Sequence, residues 1–185
     1  MVNDIVTSVA QFPWASLISG GTGILGALLG ACLANSFAEK RWAKQIVYEK
    51  EKDRIKFIRE KGEELHLLLS RWGKSLFLYQ LNQLSVVHGK LSEEQFHKLA
   101  KDITLEPGTH DRLETLLFLY FSELEPLMIK TREYISEGNK AYELAIKEEL
   151  NINEASKRLN FASNETEVGL ERIKAGIRQI IKNLE

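Results

Sequence analysis

The hydrophobic pattern of the chain changes abruptly near residue 39. No formal charge occurs between Asp4 and Glu39, and the stretch SGGTGILGALLGACLANSF, Ser19 to Phe37, holds five glycines. It runs directly into AEKRWAKQIVYEKEKDRIK, which is charged at every turn. A helix from Trp14 to Phe37, rising about 1.5 Å per residue, would extend roughly 35 Å, enough for a hydrocarbon core of about 30 Å. Residues 14–38 are therefore predicted to form a transmembrane helix. Phe12 and Trp14 at one end, and Phe37 and Trp42 at the other, suit the two headgroup zones, where amphipathic aromatic rings are favoured. The competing reading is a cleaved leader, but leaders open with a positive region, and residues 1–11 contain Asp4 and no Lys or Arg.

From Ile55 the apolar positions step by three and four through Ile58, Gly62, Leu65, Leu69, Trp72, Leu76 and Tyr79. That is a heptad seam, and it predicts a long helix packed over one stripe, continuous with the membrane helix or bent near Gly62 or Gly73. A second span over residues 65–87 is rejected, because Arg71 and Lys74 near its centre would each cost about 2.5 to 3.5 kcal/mol on insertion. The chain should break at Val87 to Gly89. Ser92 followed by Gln95 has capping-box spacing and starts a short helix that ends before TLEPGT. Thr109 or Asp111 is expected to cap the next helix, which is apolar on nearly every face through Phe121 and belongs in the middle of a bundle. Pro126 suits the first turn of a helix running to about Leu150, with Thr131, Tyr134, Gly138, Ala141 and Ala145 on its inner face. Asn151 or Asn153 caps a last helix with Leu170, Ile173, Ile177, Ile180 and Leu184 as its seam. Within it, NFASNETEVG, residues 160–169, interrupts the seam with polar residues and is expected to project past the bundle, with an exposed kink or a partner surface as the other readings.

The predicted fold class is therefore all-α: one N-terminal transmembrane helix followed by a cytoplasmic antiparallel helical bundle with coiled-coil-like seams. Residues 1–13 are a short tail, 14–38 the membrane helix, 39–54 a basic juxtamembrane helix and 55–185 the bundle. In the membrane helix, Thr22, Gly26, Gly30 and Ala34 fall on one ridge of small residues, and Ser19, Gly23, Ala27 and Ala31 on an adjacent one. Two such ridges let helices approach closely and predict self-association.

Charge sets the orientation. Lys40, Arg41 and Lys44 open a basic flank on the C-terminal side, so the bundle is expected in the cytoplasm and the N-terminus outside, as a single pass of the inner membrane. The same flank is expected first as a stop-transfer segment that continues as a solvated helix, with contact to anionic lipid headgroups as the other reading. The net charge of -1 offers no global field for nucleic acid, which is not expected as a partner. Cys32 is the single cysteine and lies in the apolar run, so no intramolecular disulfide framework can form.

Little in the chain has the spacing of a chemical site. Glu63 with His66, and Glu94 with His97, repeat the Glu-x-x-His step of di-iron bundles, but the further inward glutamates those sites need are missing, so no metal and no cofactor is expected. His88 and His110 fall in turns. Asn164, Glu165 and Thr166 match a glycosylation pattern that a cytoplasmic location would leave unused. No catalytic residue is assigned and no enzyme is expected. The expected function is a membrane-anchored, non-enzymatic interaction, scaffold or sensor protein with membrane lipid, a second copy of itself and a cytoplasmic protein as partners. The alternative is an effector whose assembled glycine-rich helices depolarise the bilayer under control of the bundle.

Overall fold

In the computed structural model the backbone of residues 14–184 and the side chains of residues 26–184 are described. Phe12 with the rest of the tail, and the surroundings of Trp14, Ser19, Thr22 and Gly23, lie outside the described residues. Every described element is helical: α1 (Trp14–Val87), α2 (Glu93–Asp102), α3 (Thr109–Tyr120), a 3-10 turn over Ser122–Leu124, α4 (Glu125–Ile146) and α5 (Ile152–Asn183). The chain divides into two compact units, Met1–Lys52 and Asp53–Glu185, and α1 runs through both.

The second unit is a helical bundle. The predicted seam of α1 is its buried stripe: Gly62, Leu65, Leu69 and Trp72 are buried, and Ile55, Ile58, Leu76 and Tyr79 are half-buried. Leu65, Leu69, Leu113, Leu116, Leu117, Phe121, Met128, Ile173 and Ile177 form the centre of the core, each at most 1 % exposed. Burying a side chain of this size contributes about 1.5 to 3 kcal/mol, so these residues supply most of the drive to fold. A smaller cluster of Val87, Ala141, Ala155 and Leu159 closes the other end.

Close approaches set the helix directions. Gly62 of α1 faces Ile177 and Ile181 of α5, Gly73 faces Leu170, and His88 Nε2 lies 3.2 Å from Ser156 Oγ, so the two helices are antiparallel. Gly138 of α4 faces Ala162 of α5 and Gly169 faces Thr131, again antiparallel. Gly62 and Gly73 therefore serve as contact points on a continuous helix. The short α2 lies over one side, with Phe96 2 % exposed and its ring 5.1 Å from Tyr79 and 5.4 Å from Tyr142.

The helix ends follow local chemistry. Ser92 and Gln95 form the predicted capping box, and Asn151 Oδ1 accepts the backbone N–H of Glu154 at 2.9 Å. Pro126 lies in the first turn of α4. α1 closes with Gly89 at φ 67°, where Gly89 N donates to Val86 O at 2.8 Å and Lys90 N to Ser85 O at 2.9 Å. Those two bonds make a Schellman end. The same pair of bonds recurs after α4, from Glu148 to Ala145 O at 3.1 Å and Glu149 to Leu144 O at 2.9 Å, with Glu148 at φ 61°. α4 thus stops at Ile146, short of the expected Leu150, because Glu148 has left the right-handed region.

Three further expectations are corrected. The cap position of α3 is Gly108, left-handed at φ 81°, and no side chain caps the helix; Thr109 and Asp111 lie within its first turn. α3 is not surrounded on all sides: Leu113, Leu116 and Leu117 are buried, but Leu119 is 68 % exposed. Residues 160–169 do not project past the bundle, since Ala162 and Gly169 meet Gly138 and Thr131 of α4 and Thr166 is buried. Small side chains make that contact, so it leaves no apolar period to read.

Among the described residues no helix is long and apolar enough to cross a membrane. Of the predicted span 14–38, only residues 26–38 have described side chains. From Gly26 the uncharged run lasts to Ala38, about 20 Å of helix, which is short of a core of about 30 Å.

Candidate functional site

Two regions qualify, one in each unit. In the first, α1 carries the described part of both small-residue ridges. A Cβ added at Gly26 or Gly30 would meet nothing within 4 Å. Ala27, Ala31 and Ala34 are exposed as well, as is Cys32. Around them Leu28, Leu29, Leu33 and Phe37 are 58 to 65 % exposed, so no contact among the described residues covers this surface. Lys40, Arg41, Trp42 and Lys44 follow within the next two turns and are exposed too. Helical geometry brings the ridge residues together along α1 and places the aromatic and basic residues at the end of the uncharged run.

The region in the second unit is a groove between α1 and α5. Its volume is about 220 Å³, and Lys74, Phe77, Gln80, Ser163, Glu167 and Lys174 are among its lining residues. Phe77 is half-exposed at 54 %, whereas Gln80 is 6 % exposed. Three residues further along α1, Gln83 is 1 % exposed and its Nε2 donates to Asn139 Oδ1 of α4 at 3.0 Å. Its Oε1 has no partner among the described residues. An unpaired buried acceptor costs about 1 to 3 kcal/mol, which makes this polar layer a weak point in the packing. Gln80 and Gln83 escaped the sequence reading, although the seam steps on through them to Val87 at the same spacing. That continuation was the available signal.

The histidines are held by structural contacts. Arg178 Nη1 lies 3.3 Å from His66 Nε2, the His110 ring stands edge-on to Trp72 at 5.8 Å, and His97 is tilted against Phe96 at 5.7 Å. Glu63 is exposed, while its neighbour Glu64 turns toward α3. Arg112 Nε donates to Glu64 Oε1 at 2.6 Å and Arg112 Nη2 to Oε2 at 3.0 Å. That bidentate bond holds the Glu64 carboxyl below the usual carboxylate range; partial burial opposes it, and Lys61 adds to it. In α5, Glu171 is lowered chiefly by its hydrogen bond from Lys174. Burial pushes the Tyr142 hydroxyl up, with the charges of Glu93 and Tyr79 adding to it. Among the described residues, no three side chains of His, Cys, Asp or Glu gather where they could hold a metal ion.

No protein-family model, no curated protein and no solved structure matches the chain.

Proposed function

We propose that the chain is a membrane-anchored, non-enzymatic interaction protein. Residues 14–38 span the inner membrane once, the helix self-associates through its small-residue ridges, and the bundle of the second unit is cytoplasmic and engages a protein partner. The observation that carries this is the exposed face of α1. Among the described residues nothing lies within 4 Å of a Cβ added at Gly26 or Gly30, although both sit among exposed leucines in a run without charge. Lipid or a second copy of the helix would cover such a face, and small residues allow backbone approach that larger ones prevent. The basic flank after residue 39 supports the orientation. Engagement of the histidines in packing and hydrogen bonds supports a non-enzymatic role.

The test is crosslinking of the full chain in membranes at equal density, beside the Gly26→Leu/Gly30→Leu variant. The variant is expected to lose most of its oligomer while inserting as well or better, since Leu is more favourable than Gly in hydrocarbon. Unchanged oligomer yield would overturn self-association. Loss of a membrane-depolarising activity together with the oligomer would favour the effector in place of the interaction module. Extraction of the chain from membranes by alkaline carbonate would remove the anchor itself.

A further inference from the structure

The basic residues between positions 40 and 61 are of two kinds. On a helix, a charge is neutralised by side chains three and four positions away. Every basic residue from Lys50 to Lys61 has an acidic residue at that spacing: Lys50 has Asp53, Lys52 has Glu49 and Lys56 has Glu60, the last pair at 4.0 Å. Lys40, Arg41 and Lys44 have none. The positions three and four away from each hold only Ser, Ala, Phe, Gln, Val, Tyr or another basic residue. Glu39 stands one position before Lys40 and so points to a different side, with Trp42 and Ala43 at its own helical spacing. These three cations therefore lack a counter-charge on their own helix, and all three are exposed. Phe37, 63 % exposed, stands three positions before Lys40 and four before Arg41, on their side of the helix, while Trp42, 70 % exposed, lies at the same depth on the side of Glu39.

We propose that Lys40, Arg41 and Lys44 form a site for the phosphates of anionic phospholipid headgroups, with Phe37 on the same side of the helix and Trp42 at the same depth on another side; this rests on the anchoring proposed above. The charge pattern selects the ligand. A phosphodiester supplies the missing negative charge, the planar guanidinium of Arg41 can take two of its oxygens at once, and the ammonium groups of Lys40 and Lys44 act as point charges. Aromatic rings favour the same headgroup zone. The basic residues from Lys50 to Lys61, each with an acidic residue three or four positions away, contribute little.

The full chain is reconstituted in phosphatidylcholine vesicles, and the preference of its lipid shell for spin-labelled phosphatidylglycerol over spin-labelled phosphatidylcholine is measured at low salt. The expected preference is at least about fivefold, the factor corresponding to one basic side chain at the surface. It should fall to near unity in Lys40→Gln/Arg41→Gln/Lys44→Gln and persist in Lys50→Gln/Lys52→Gln. Retention in the triple variant, or equal loss from both variants, overturns the site. If inorganic phosphate removes the preference where chloride of equal ionic strength does not, the cluster is a free-phosphate site and the lipid assignment fails. Resistance to carbonate extraction is scored on the same vesicles. Extraction of the unsubstituted chain removes the anchor, whereas resistance without lipid preference removes only the headgroup site.

Discussion

Glycine is used in opposite ways in the two units. At Gly62, Gly169 and Gly176 an added Cβ would press on Ile181, Thr131 and Leu124 respectively, whereas at Gly26 and Gly30 it would meet open space. The leucines divide in the same way: Leu65, Leu69, Leu116 and Leu117 are 0 % exposed, and Leu28, Leu29 and Leu33 are 58 to 65 % exposed. In the second unit small residues are consumed by contacts within the chain. In the first they offer a contact that none of the described residues fills. The difference shows that a small-residue ridge has no fixed meaning; what matters is whether a partner of matching shape occurs in the same chain.

The largest test of this contrast is a pair of truncations. Leu116→Ala should lower the stability of the bundle by about 2 to 5 kcal/mol, the usual cost of deleting a fully buried leucine. Leu33→Ala should leave it within about 0.5 kcal/mol, as for a surface change. Urea unfolding of the full chain in detergent, followed by near-ultraviolet circular dichroism from the packed aromatics, reads both. Equal losses would break the contrast.

A second pair uses the glycines. Gly169→Val forces side-chain atoms into Thr131, which is buried and short, and overpacking of this kind costs about 1 to 3 kcal/mol. Gly30→Ala meets no neighbour, and alanine improves helix propensity by up to about 1 kcal/mol. Thermal unfolding midpoints of the chain held as a monomer in detergent that move in opposite directions, or fall for Gly169→Val alone, sustain the distinction; a fall for Gly30→Ala in that monomer would mean that the chain itself fills its surroundings.

Glu148 sharpens the comparison from the other side, as a residue standing where glycine would suit the backbone. Its φ of 61° is left-handed, and relieving that strain with Glu148→Gly should raise stability by roughly 1 kcal/mol. An unchanged or lower unfolding midpoint would show that the glutamate side chain compensates.

The smallest effect is electrostatic. The folded-state pKa of Glu64 is lowered, first by its hydrogen bond from Arg112, so this carboxylate adds stability above the unfolded carboxyl value of about 4.3 and loses that contribution as pH falls through the folded value. Glu64→Gln should flatten the decline in urea midpoint below about pH 4.3. The effect is small because the pair is partly open to water, and salt should shrink it further. A slope that stays the same in the variant assigns the acid sensitivity to other carboxylates.

Where the chain used period and end chemistry, its fold was legible. The seam from Ile55 to Tyr79, the Ser92–Gln95 box, Pro126 and the Asn151 cap each act over a few residues, so spacing alone carries them. Residues 160–169 were misread because Ala162, Thr166 and Gly169 pack by being small, which no hydrophobic period records. Of the candidate ridges, Gly26, Ala27, Gly30, Ala31 and Ala34 are seen to be exposed, while Ser19, Thr22 and Gly23 lie outside the described residues.

What the sequence determined by itself is local: a helical chain, the places where helices start, the uncharged run before Glu39, and the three basic residues that no acidic neighbour on the helix can neutralise. All of these follow from interactions spanning one or two turns. Only the tertiary structure decided which small residues are filled and which are open, and that Gln83 is buried with one oxygen unpaired among the described residues. Those depend on which surfaces meet across long separations in the chain, as when Gly62 meets Ile181 or Gln83 meets Asn139, and helical spacing carries no information about such meetings.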